Sequence, residues 1–188
     1  MMNALAYLFE REEIPPEAIR NTMLYCLDCY SKEGIPGKRG TSRAAMMFLS
    51  NWLNEFGNLG MMTVSSEYLS GSEVYIGPGS RINQALSHGG AAVVRLFLDE
   101  PHYVLLTGVK DGSILLFDPY YWDEPYEEKD ILIDLEHPRA YNREVPFRYF
   151  NREEDVLYAL GKVNAREAVL VYNEKTRVPV EEVIEYFI

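Results

Sequence analysis

The stretch HYVLLTGVKDGSILLFDP, residues 102–119, decides the fold. Two runs rich in Val, Leu and Phe, Tyr103 to Val109 and Ser113 to Phe117, flank Asp111-Gly112. Asp-Gly between apolar runs is a strong hairpin signal, because a tight turn needs positive φ at both central residues and these types accept it readily. The spacing predicts an antiparallel pair turned at Asp111-Gly112. Just upstream, Ala91 to Leu98 reads as another strand, and Glu167 to Tyr172 as one more near the end.

Outward from this hairpin, toward the N-terminus, the period changes to that of helices. Residues 1–10 place Met1, Leu5, Leu8 and Phe9 on one stripe, with no Ser, Thr, Asp or Asn ahead to cap the first turn. The Ile14-Pro15-Pro16 step breaks that helix. A second starts near Pro16 with Ile19, Met23, Cys26, Leu27 and Tyr30 at helical spacing. Gly34 to Gly40 reads as a loop, and Thr41 or Ser42 as the cap of a third helix, Ala44 to Phe56, with Ala45, Phe48, Leu49 and Trp52 on its apolar side. Residues 61–76 read as irregular or extended. Ser80 caps a fourth helix through Leu86, ended by Gly89-Gly90. Asn151 and Glu154 suggest a capping box for a helix over Glu153 to Leu160, and Pro179 to Phe187 reads as a closing helix. Helices thus fill 1–90 and strands most of 91–188. The expectation is a single α+β domain over 1–188, an antiparallel sheet against an N-terminal helical layer.

Composition narrows the function. With 188 residues, 47% of them apolar and 25% charged, the chain is globular rather than disordered. No apolar run approaches the length of a membrane span. Two cysteines exclude a disulfide framework. A net charge of −11 argues against nucleic acid as a partner. Residues 99–136 hold eleven acids and two bases, which is −9 of that total. Such a local field attracts a basic peptide or a cation. Free thiols without a leader point to the cytoplasm.

Several constellations bear on chemistry. His102 stands about nine residues before the turn and Asp118 about six after it, so the hairpin brings both to one edge of the sheet. A carboxylate there holds an imidazole in one tautomer and stabilises its protonated form, as nucleophilic catalysis requires. The bland alternative is a strand-edge His and an Asp-Pro turn. Cys26 and Cys29 form a Cys-x-x-Cys inside an amphipathic helix, without further ligands at metal spacing, and read as structural thiols. Gly37 to Ser42 imitates a phosphate loop but has Arg39 where Ser or Thr must follow Gly-Lys. His88 and His137 have no partners at ligand spacing. Tyr120, Tyr121 and Trp122, directly after Asp118, are candidates to line a groove for an extended ligand.

Tyr103 to Gly108 after His102, then Ile114 to Phe117 with Asp118-Pro119, resembles the histidine and aspartate strands of the bacteriocin-processing (double-glycine) peptidase-like family. The 16-residue separation, the Pro after Asp and the preceding Gly89 to Val94 strand fit the same pattern. The resemblance implies a papain-like fold and thiol-dependent hydrolysis of a peptide or small amide without a cofactor. It implies His102 as base and Asp118 as its orienting partner. The family's nucleophilic Cys and oxyanion Gln have no counterpart in the first 25 positions. Alignment of Tyr7-Leu8 puts that Cys about four residues before Met1, at a helix N-terminus that would lower its pKa. The chain as numbered is therefore expected to be inactive. The alternative is a non-catalytic peptide-binding or interaction protein that uses the acidic, aromatic segment 117–136. Oligomeric state has no signal in the sequence.

Overall fold

Alternate residues of the central strands pack into two separate cores, one on each face of a single sheet. A computed structural model describes residues 1–27, 41–120 and 122–179. The elements are α1 (Met2–Leu8), α2 (Pro16–Leu27), α3 (Arg43–Asn58), β1 (Val64–Ser70), α4 (Arg81–Ser87), β2 (Ala91–Leu98), β3 (Glu100–Lys110), β4 (Ser113–Phe117), β5 (Leu132–Ile133), β6 (Arg143–Pro146) and β7 (Glu167–Asn173). All strand pairs are antiparallel, in the order β1-β7-β2-β3-β4-β6-β5. The α+β class with an antiparallel sheet and an N-terminal helical layer is as the sequence predicts.

The hairpin turns where expected. Asp111 and Gly112 have φ of 48° and 80°, the positive pair that a two-residue turn needs. Beyond it, the β3–β4 register shifts between Leu106 and Gly108, a bulge that supplies the slack between His102 and Asp118.

Because side chains alternate along a strand, Ala92, Val94, Leu96, Val104, Leu106, Ile114 and Leu116 share one face with α4, Tyr149, Phe150 and Tyr158. Ala91, Val93, Leu105, Val169 and Val171 share the other with α1 and α3, through Ala4, Leu5, Met46, Leu53 and Phe56. Each fully buried Leu contributes about 1.5–3 kcal/mol, and both faces carry several. At the end of α3 the backbone comes so near β1 that a Cβ on Gly57 would lie 1.8 Å from the carbonyl oxygen of Val64.

Four expectations need correction. Residues 61–76 contain β1, so the division into a helical 1–90 and a strand-rich remainder is not clean. The α3 stripe is turned by about one position: Met46, Leu49, Ser50, Leu53 and Phe56 are buried, whereas Phe48 is exposed. On α2, among the side chains described, Ala18 and Thr22 are the buried ones, and Ile19 and Met23 are exposed. Glu153 to Leu160 is not helical; Asn151, instead of capping it, donates to the Ile76 carbonyl and accepts from the Ile76 N–H. Cys29, the 34–40 loop, Tyr121 and most of the expected closing helix lie outside the described residues. No helix among the described residues is long and apolar enough to cross a membrane.

Candidate functional site

His102 and Asp118 meet. The ring Nε2 lies 3.0 Å from Oδ1 and 3.1 Å from Oδ2 of the carboxylate. An ionised carboxylate only accepts, so Nε2–H donates, and in the neutral ring Nδ1 carries the lone pair. Nδ1 is buried and has no hydrogen-bond partner among the described residues. The ring is thus held by one nitrogen, with the other buried and unpartnered among the described residues.

Asp118 is 1% exposed and held from every side. Its N–H donates to Asn142 Oδ1 and its carbonyl accepts from Asn142 Nδ2, both at 2.8 Å. That double bracket fixes the backbone just past the end of β4. Oδ1 also accepts the Tyr120 N–H at 2.9 Å, and Oδ2 accepts the Tyr158 hydroxyl at 3.2 Å.

Behind the carboxylate runs a chain whose polarity is forced. Arg143, 1% exposed, donates from Nε to the Tyr126 hydroxyl at 3.2 Å. The Tyr126 and Tyr158 hydroxyls are 3.0 Å apart. Arginine only donates and carboxylate only accepts, so Tyr126 donates to Tyr158 and Tyr158 to Asp118. Burial, then the Asp118 charge, pushes the Tyr158 hydroxyl far above the usual tyrosine range, so it remains a donor. Arg143 also binds the carbonyls of Asn142 and Trp122 at 2.8 and 2.7 Å. It thereby ties the loop after Asp118 to β6.

That loop bears the aromatic candidates. Tyr120 and Trp122 are 57% and 39% exposed. They line a cleft of about 320 Å³ together with Leu98, Asp99, Pro125, Tyr126, Glu127, Glu128 and Leu157.

The two residues His102 and Tyr103 point to opposite faces. His102 pairs with Leu96, in line with Val94 and Val104 on the α4 face. Tyr103 joins the α1–α3 face, where its hydroxyl donates to Glu167 at 2.9 Å. Glu167 is 1% exposed, also accepts from Tyr68 at 3.0 Å, and has Arg43 and Arg95 at 3.8 and 4.0 Å. Helix α1 lies on this second face. Tyr7, near its C-terminal end, donates to the Thr107 carbonyl at 3.2 Å. Met2, at the other end, shares a cleft with Leu105 and Phe117. The helix therefore packs over β3 on the face opposite His102.

Sequence reasoning found the pair and the aromatic loop but missed Asn142, Arg143, Tyr158 and Glu167. They stand 17 to 124 residues from their side-chain partners, and no local pattern marks them. Comparison with family models, with curated proteins and with solved structures finds no match to this chain.

Proposed function

We propose that this is a papain-like, cysteine-peptidase-like domain whose His102–Asp118 pair is the base and orienting acid of a site for peptide or small amide bonds. The observation that carries the reading is the asymmetry of the imidazole. Nε2 is bound to a buried carboxylate while Nδ1 has no partner among the described residues. A His engaged only for structure would satisfy both nitrogens. Here Nδ1 takes the thiol proton, the thiolate attacks the amide carbonyl, and the imidazolium returns the proton to the leaving amine. Asp118 stabilises the charge on the ring throughout and keeps its own. Tyr120 and Trp122 line the substrate side.

The resemblance sets the thiol one turn ahead of Met1, on the axis of α1. Helix α1 and the His102 ring belong to opposite faces of the sheet. A thiol there meets Nδ1 by passing around the end where β3 begins, which is a strict geometric demand.

The experiment compares the 188-residue chain with a form extended by the coding sequence upstream of Met1, on peptide and amide substrates. The expected result is turnover by the extended form alone, abolished by His102→Ala. Turnover by the 188-residue form, or turnover that survives His102→Ala, overturns the reading. The second reading, a binding module, is favoured by the cleft beside the pair. It predicts peptide binding that both forms share, with hydrolysis by neither.

A further inference from the structure

The cleft beside the His–Asp pair has a chemical character of its own. Its walls are apolar and aromatic: Leu98, Tyr120, Trp122, Tyr126 and Leu157. Three acids stand around it, Asp99, Glu127 and Glu128. Among the described residues, none of these three carboxylates has a hydrogen-bond or ion-pair partner. Of the basic residues nearby, Arg143 and Arg148 are already engaged, and Lys129, next to Glu128 in sequence, is exposed and has no pairing with the three acids among the described residues. Arg143 is buried in carbonyl and hydroxyl contacts, and Arg148 is paired with Asp130. The surrounding segment is the one that holds −9 of the chain's −11 charge.

Position links this cleft to the pair. On β2, Leu98 is two residues beyond Leu96, the cross-strand partner of His102, and so on the same face. Two residues of strand rise are about 7 Å, which is also two residues of an extended peptide. Tyr120, another wall, donates its N–H to Asp118. Asp99, at φ 58°, forms the tip between β2 and β3 and stands at the rim.

We infer that this cleft takes the lysine or arginine side chain of a peptide lying across His102 and Asp118. The inference rests on the proposed function for the peptide's path but not for the cleft's charge preference. A long basic side chain suits both parts of the cleft. Its methylene stem lies along aromatic and aliphatic walls while its head reaches carboxylates at the rim. Tyrosine and tryptophan faces add attraction for a cation. A neutral apolar side chain of equal length would gain the walls but leave three unpaired acids beside it. Steering by the −9 segment acts in the same sense and weakens with salt.

The test is calorimetric titration of the 188-residue protein with the capped pentapeptide Ala-Ala-Arg-Ala-Ala and with its citrulline isostere, which differs essentially in charge. The expected result is at least tenfold tighter binding of the arginine peptide at low salt, with the gap closing as salt rises. The Glu127→Gln, Glu128→Gln double variant keeps its thermal melt and loses most of that gap. Equal binding of the two peptides, binding of neither, or a gap untouched by the double variant overturns the inference. Hydrolysis by the extended chain that ignores substrate charge sinks this inference and spares the proposed function. Charge-selective binding with no hydrolysis does the reverse.

Discussion

Two adjacent residues of β3 each engage a buried carboxylate, one on either face of the sheet. Tyr103 donates to Glu167, and His102 to Asp118. Both acids are 1% exposed and both accept a tyrosine hydroxyl. They differ in what else holds them. Glu167 has two guanidinium groups within 4.0 Å, which keep their charge at any pH the fold survives. Asp118 has an imidazole, whose second nitrogen is buried and has no hydrogen-bond partner among the described residues. A buried acid with permanent partners is a fastening. A buried acid beside a ring with one unpartnered nitrogen is a different arrangement, and under the proposed function it is the one that meets a transient charge.

The largest effect should come from the fastening. Glu167→Ala strands the hydroxyls of Tyr68 and Tyr103 and leaves Arg43 and Arg95 without their shared anion. Removing one member of a buried, paired set typically destabilises by about 3–5 kcal/mol. Urea denaturation should show an unfolding free energy lowered by that amount, and Glu167→Gln, which retains an acceptor, should lose clearly less. If Glu167→Ala loses under 1 kcal/mol, about the level of an ordinary surface change, Glu167 is not a fastening and the contrast with Asp118 fails.

Next is alkaline instability, to which both faces contribute. Burial first, and then the charge of Glu167 or Asp118, raises the hydroxyls of Tyr103 and Tyr158 well above the usual tyrosine value. In the unfolded chain they ionise near 10. Below that pH both states keep the protons and the contribution to stability is complete. Above it the unfolded state sheds protons that the folded state retains, so stability falls as pH rises, by about 1.4 kcal/mol per pH unit for each tyrosine. Urea midpoints from pH 8.5 to 11 measure the slope. Tyr103→Phe should flatten it, and an unchanged slope in that variant would show that its hydroxyl ionises freely in the folded protein.

What the sequence revealed divides along a similar line. The strands β2 to β4, the Asp111-Gly112 turn and the His102–Asp118 meeting were legible because a local turn and a period of two determine them. β1 was not, since Val64-Ser-Ser-Glu-Tyr-Leu-Ser70 has too few apolar residues to show its alternation, and its pairing with β7 spans about a hundred positions. The helix expected over Glu153 to Leu160 failed because Asn151 serves a distant backbone and Tyr158 turns at φ 56°. That same irregular turn delivers the Tyr158 hydroxyl to Asp118. The acids' secondary partners are single polar residues in irregular or edge segments, and such residues acquire meaning only when tertiary structure brings them together.

A smaller effect belongs to the chain behind Asp118. Tyr158→Phe keeps the ring in its core and removes one hydrogen bond to the carboxylate, with an expected loss of about 1 kcal/mol. It also breaks the path from Arg143. If the proposed function holds, amide turnover by the extended chain should fall by more than that loss of stability explains, because the carboxylate that orients His102 has lost a donor. A variant equal to wild type in turnover would make Tyr158 a packing residue only.

The smallest effect on stability, and the sharpest break between the two acids, is His102→Ala. The His102 side chain is 24% exposed and stands near the start of β3. With the ring gone, Asp118 still accepts the Tyr120 N–H and the Tyr158 hydroxyl, and Asn142 still brackets its backbone. The buried charge is therefore not stranded, and the expected change in stability is under about 1 kcal/mol, in the range of mild substitutions. Glu167→Ala is the opposite case, because Tyr68, Tyr103, Arg43 and Arg95 all converge on the one carboxylate that is lost. A denaturation curve for His102→Ala overlapping that of the wild type would mean that the fold does not need the ring, leaving chemistry as the reason for its placement. A loss as large as that of Glu167→Ala would make the His102–Asp118 pair a second fastening and remove the ground for assigning it a reaction.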